Sequence, residues 1–173
     1  MTTAIIGTIL ALVMIATAAA PSLSIAAMQT PPHAVHLTQI SGSYRFELVM
    51  LPAEPYVTAA DVRRRHLTEG MLVVRGARPV QPNDPAHPNH HLVVHVYDAA
   101  TGHPVLGAKV EMSVVGPAPA TRRVRVPIVE MQAVGGGAKS THYGNNVALQ
   151  PGHYTVFVTA NGKATVAFAI RSI

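Results

Sequence analysis

The clearest hydrophobic pattern in the chain is "HHLVVHVYD", residues 90–98, where Leu92, Val94 and Val96 fall on one side and His91, Val93, His95 and Tyr97 on the other. Strict alternation of this kind is the period of a half-buried β-strand. Similar patterning predicts strands at 44–51, 71–75, 91–98, 108–115, 123–131, 146–149, 153–159 and 163–170. They are separated by turn-rich stretches: "DAATGHPVLGA", "VGPAPATRR", "QPG" and "ANGK". Asn161-Gly162, lying between two alternating runs, is a strong two-residue hairpin signal. One short helix is expected over 58–67, with Thr58 as N-cap and Asp61 at its third position.

Seven to eight short strands at this spacing predict an all-β fold, an immunoglobulin-like antiparallel β-sandwich over residues 44–173. A transthyretin-like sandwich would give nearly the same pattern. Residues 28–43, polar and Pro-containing, read as a linker or an irregular first edge. The apolar side chains are mostly Ala and Val, Trp is absent and aromatics are 5% of the chain, which suits thin Val-rich strands better than bulky helical packing. The 173 residues amount to one domain once a leader is set aside.

That leader is the run AIIGTILALVMIATAAA, residues 4–20, which is uncharged and ends in small residues. Residues 1–27 read as a secretory signal peptide with cleavage choices between Ala18 and Ala27. The weak n-region, Met-Thr-Thr, leaves an uncleaved anchor as the alternative, so a membrane partner is expected only if the segment is retained. The implied address is the periplasm. The chain has no Cys, which rules out lipoprotein attachment and disulfides, so stability must come from the core with help from any bound metal.

The formal charge is +5 with His neutral, concentrated in Arg63-Arg64-Arg65 and in Arg122, Arg123 and Arg125. Without interleaved aromatics or a recognisable motif, these groups do not read as a nucleic-acid surface. Enzyme signatures are also lacking. Gly135-Gly136-Gly137-Ala138-Lys139-Ser140 does not have phosphate-loop spacing, and no pair among the eight carboxylates stands out as an acid/base couple. A non-enzymatic role is expected.

The strongest compositional deviation is ten histidines. His87, His90, His91 and His95 fall in "HPNHHLVVH". His91 and His95 share a strand face, but four strand residues span about 13 Å, so one ion needs ligands from a neighbouring strand. Met131, His142 and His153 are the available donors. Imidazole with thioether suits copper, and imidazole with carboxylate suits zinc or ferrous iron. The plain alternatives are that Met131 ends a core strand and that His142 donates to a loop carbonyl. His33, His36, His66 and His103 read as surface imidazoles in linker or turn contexts.

Two stretches, "NHHLVVHVYD" and "MQAVGGGAKSTHYGNNVALQPGHYTVFV", resemble the periplasmic high-affinity iron-transport accessory proteins over about residues 89–158. The resemblance implies an immunoglobulin-like, copper-binding protein that serves copper or iron uptake beside an inner-membrane metal permease, as a homodimer. It places Met131 and His142 at ligand positions and His91 and His95 on the family's His-x-Glu-x-Asp strand. Here the glutamate position is Val93 and the aspartate position is His95. A late family histidine has no counterpart, because "TANGKATV" turns tightly. The expected metal site is therefore His142, Met131, His95 and His91, richer in neutral donors than the family's, with copper as cofactor and iron as the alternative. If His95 is a ligand, Tyr97 and Tyr143 are the expected partners of its second ring nitrogen. The other reading is a metal-free transthyretin-like or carboxypeptidase-regulatory-like interaction module of the cell envelope. A third is an anchored copper-binding assembly factor for a respiratory oxidase.

Overall fold

The computed structural model describes residues 34–117 and 119–173; the signal-peptide or anchor reading lies outside them. The fold is a β-sandwich. A seven-stranded sheet has the order β1-β2-β5-β9-β8-β4-β3, and a four-stranded sheet has the order β11-β10-β6-β7. The larger sheet contains β1 (Val35–Ser41), β2 (Tyr44–Pro52), β3 (Tyr56–Val57), β4 (Met71–Gly76), β5 (His90–Asp98), β8 (Val129–Ala133) and β9 (His142–Val147). The smaller contains β6 (Val110–Val115), β7 (Val124–Val126), β10 (Gly152–Ala160) and β11 (Ala164–Ser172). All pairings are antiparallel except the short β3–β4 pair.

Three differences from the sequence reading have physical causes. The segment expected to be a linker or an irregular first edge contains a regular edge strand, β1, which pairs with β2 over its whole length. Its mostly exposed side chains hide the alternation of an edge strand. The run expected as one strand over 123–131 is two, because Pro127 has no N–H to donate; the chain changes sheet there, from β7 to β8. The strand expected at 146–149 begins at His142, four residues earlier. With the two-residue β3, also not expected, the described residues hold eleven strands rather than seven or eight. The helix α1 (Ala59–Arg65) is as expected, with Thr58 and Asp61 forming a reciprocal capping box. Asn161 and Gly162 both take positive φ in the β10–β11 turn, at 53° and 65°.

The main core lies between the sheets. Phe46 and Leu48 of β2, Leu92, Val94 and Val96 of β5, Met112 of β6, Val156 and Val158 of β10 and Phe168 of β11 are all buried there. A second apolar cluster, Val49, Tyr56, Val93, Val129 and Met131, lies on the other face of the large sheet. Chain connectivity explains how that face is buried. Pro52 ends β2 and Tyr56 begins β3, a reach of at most about 14 Å. In a flat sheet of this order the two strands would be five spacings apart, about 24 Å. The sheet must therefore curl, bringing its β3 edge back towards β2, and the second cluster is enclosed by that curl.

Candidate metal centre

Side chains from three neighbouring strands, β5, β9 and β8, come together on the enclosed face. Cross-strand partners in a ladder point to the same face, and the register pairs Glu47 with His95, His91 with Asn146, Val93 with Gly144, Met131 with His142, and Val73 with Met131. All four expected site residues therefore share the enclosed face. The His95 and His142 ring centroids are 5.1 Å apart, and those of His142 and His91 are 5.7 Å apart and nearly perpendicular. His142, from the neighbouring strand, stands against both β5 histidines, which are too far apart along their strand to meet directly.

"HYGNN", Residues 142–146, builds this arrangement one residue at a time. Gly144 allows the close approach of β9 to β5, because a Cβ there would lie 2.1 Å from the Leu92 carbonyl oxygen and 2.8 Å from Val93 Cα. Tyr143 points to the opposite face, where its hydroxyl donates to the Val105 carbonyl and accepts from the Ala108 N–H. Asn145 donates to the carbonyls of Arg78 and Pro127 and accepts from the Val80 N–H. Asn146 donates through Nδ2 to the Glu54 and Val80 carbonyls. The two asparagines thus fasten the segments after β2 and after β4 onto the sheet.

The same asparagine fixes the state of His91. Because Asn146 Nδ2 is committed to two carbonyls, its Oδ1 faces the His91 ring and accepts from Nδ1 at 2.9 Å. His142 Nδ1 donates to the Ser140 carbonyl at 2.7 Å, and His95 Nδ1 donates to the Thr141 carbonyl at 3.1 Å. All three rings therefore carry their proton on Nδ1 and a lone pair on Nε2. A carbonyl or amide oxygen holding the far ring nitrogen is the usual support for a metal-ligating imidazole. His91 Nε2 and His142 Nε2 are buried with no hydrogen-bond partner among the described residues.

Burial keeps these rings neutral. Desolvation, opposed by the bond to Ser140 and reinforced by the neighbouring imidazoles, pushes His142 down to about 3. His91 and His95 are lowered for the same first reason. His90, whose side chain points to the main core, provides a contrast: it is also buried and lowered, but its Nε2 lies 2.9 Å from the Ser172 hydroxyl and is satisfied.

Some sequence expectations are corrected here. The partner of His95 is the Thr141 carbonyl, neither Tyr97 nor Tyr143; Tyr97 stacks on the His95 ring with centroids 6.0 Å apart. Met131 is completely buried in the apolar cluster; it stands in the middle of the core strand β8 rather than at its end, and it pairs with His142. His142 does donate to a loop carbonyl, yet only one of its two nitrogens is used. His36, His66, His103 and His153 are exposed, and His33 lies outside the described residues. Tyr56, whose hydroxyl is 3.4 Å from His91 Nδ1, was not legible as a site residue because only the curl brings β3 to β5. Among the described residues, no group of three or more His, Cys, Asp or Glu side chains stands together as a metal cage. The neutral donor set is two buried imidazoles, a half-buried third and a thioether on the facing strand.

Comparison of the chain with family models, with curated proteins and with solved structures gives no match.

Proposed function

We propose that the chain is an exported transition-metal-binding protein that supports copper or iron uptake or delivery, with the His91, His142, His95 and Met131 cluster as its site and copper as its cargo. One observation carries this reading: three imidazoles have Nδ1 tied to an oxygen, and two of their Nε2 lone pairs are buried without a partner. An unsatisfied buried acceptor costs about 1–3 kcal/mol. A bound ion would satisfy both acceptors at once.

The role of each residue follows from its place. His91 and His142 would hold the ion from within the curl. Met131 would add a soft donor from β8, and half-buried His95 would meet an ion arriving from solvent. Asn146, Ser140 and Thr141 orient the rings. Periplasmic export through residues 1–27 and delivery to an inner-membrane permease belong to the same proposal, supported by the apolar N-terminal run and the family resemblance. The test is metal content by mass spectrometry of protein purified without a His-tag. Near-stoichiometric copper or iron, lost in His142→Gln and His91→Gln, is expected. Metal-free protein that also takes up no added copper would overturn the proposal.

The burial of Met131 among Val49, Val93 and Val129 favours a second reading, a metal-free interaction module in which the histidines are packed core residues. The same experiment separates the two.

A further inference from the structure

We infer that the centre selects a monovalent soft ion, Cu(I), over Cu(II) and Zn(II); this rests on the metal-binding reading above and narrows its cargo to one oxidation state. His91 is 1% exposed, His142 5% and Met131 0%, and all three are neutral donors. An ion seated among them brings its full charge into a dry environment. Desolvation rises with the square of the charge, so a divalent ion without a carboxylate beside it costs about four times as much as a monovalent one.

Among the described residues, no carboxylate oxygen is hydrogen-bonded to His91 or His142. Glu130, next to Met131 in sequence, points to the opposite face, where it pairs with Arg75 and accepts from the Gly107 N–H at 3.1 Å. Glu47 stands opposite half-buried His95, outside the buried pair, and is bound to Arg45. Glu54 meets Asn146 through its backbone N–H and carbonyl. The position on β5 between the two histidines is Val93, which is buried.

Donor number points the same way. Zn(II) takes four ligands in a closed protein site, whereas Cu(I) is satisfied by two or three, and thioether donors favour it. Two buried imidazoles with Met131 on the facing strand provide that smaller set. Half-buried His95, 5.1 Å from His142 by ring centroids, is the contact through which the ion would exchange with solvent.

The experiment is a competition titration of the full-length purified chain against chromophoric chelators: Cu(I) under anaerobic conditions, Cu(II) and Zn(II) in parallel, and Ag(I) as a redox-inert monovalent probe. Cu(I) and Ag(I) are expected to bind at least ~100-fold more tightly than Zn(II) or Cu(II). Both should weaken at least ~10-fold in His91→Gln and His142→Gln, and less in Met131→Leu, which preserves packing. Glu47→Gln should leave the preference unchanged. Amide spectra of each variant establish that it is folded. Equal or tighter binding of Cu(II) or Zn(II), lost in the same histidine variants, would overturn the monovalent preference while leaving a metal carrier. Absence of binding by all four ions would overturn the carrier reading with it.

Discussion

The two outward faces of this sandwich differ sharply. On the small sheet, β11 alternates buried and exposed residues along its whole length, and Thr165, Ala167, Ala169 and Arg171 are exposed. On the large sheet, the corresponding face carries Val93, Val129, Met131, His91 and His142, all buried. A sandwich needs only one inner face on each sheet. The large sheet has a second buried face because it curls and because Asn146, on that face, fastens the segments after β2 and after β4 to it. That second interior contains His91 Nε2 and His142 Nε2, the buried side-chain nitrogens left without a partner among the described residues, so the additional architecture surrounds unused metal-donor atoms.

The comparison is broken most severely at Gly144. Gly144→Ala would force a Cβ to 2.1 Å from the Leu92 carbonyl oxygen, separating β5 from β9. A loss of more than about 3 kcal/mol is expected, read from urea unfolding, or a failure to fold. Ala167→Ser, on the exposed side of β11, should change stability by no more than about 0.5 kcal/mol. A similar cost for the two would contradict the claim that only one face is closely packed.

Asn146→Ala comes next. It removes the acceptor for His91 Nδ1 and the Glu54 N–H and the donor to two carbonyls. A loss of about 2–4 kcal/mol is expected, together with faster amide exchange in residues 53–57 and 78–84. Met131→Ala should cost about 2–5 kcal/mol and Met131→Leu less than about 1.5 kcal/mol. Only the leucine variant then separates the thioether from its packing.

Acid provides a finer test. His142 stays neutral in the native state down to about pH 3, while in the unfolded chain it takes a proton near pH 6.5. Between these values the unfolded state binds more protons. The metal-free protein should therefore lose stability as pH falls from about 6.5 towards 3, by an amount on the order of 4 kcal/mol from this ring. His142→Gln should flatten that slope.

Much of this comparison could be read from the sequence, but only strand by strand. Alternation in β5 placed Leu92, Val94 and Val96 in the main core and the histidines on the other face, and the hairpin at Asn161-Gly162 was equally legible. His142 and Met131 were named as ligands through "HYGNN" and its resemblance. What could not be read depends on the curl. Periodicity says which side of a strand a residue faces, but not that β3 returns over β5 to place Tyr56 beside His91. It also could not show that the paired asparagines are clamps, because their partners at Glu54, Arg78 and Val80 are more than sixty residues away. Val35–Ser41 could be read only as a linker or an irregular edge, because an exposed edge strand loses the buried half of its pattern.

The central claim concerns atoms: at neutral pH, His91 and His142 carry their protons on Nδ1 and present bare Nε2 lone pairs to one another's surroundings. Long-range proton–nitrogen correlation spectra of the imidazole rings test this directly, first on the metal-free chain at pH 7 and then with Ag(I) added. The account predicts the Nδ1–H tautomer for both rings and a selective shift of both Nε2 resonances at one equivalent of Ag(I). Nε2-protonated rings, or Nε2 resonances that ignore the ion, would contradict it and leave the curled sheet as a metal-free interior.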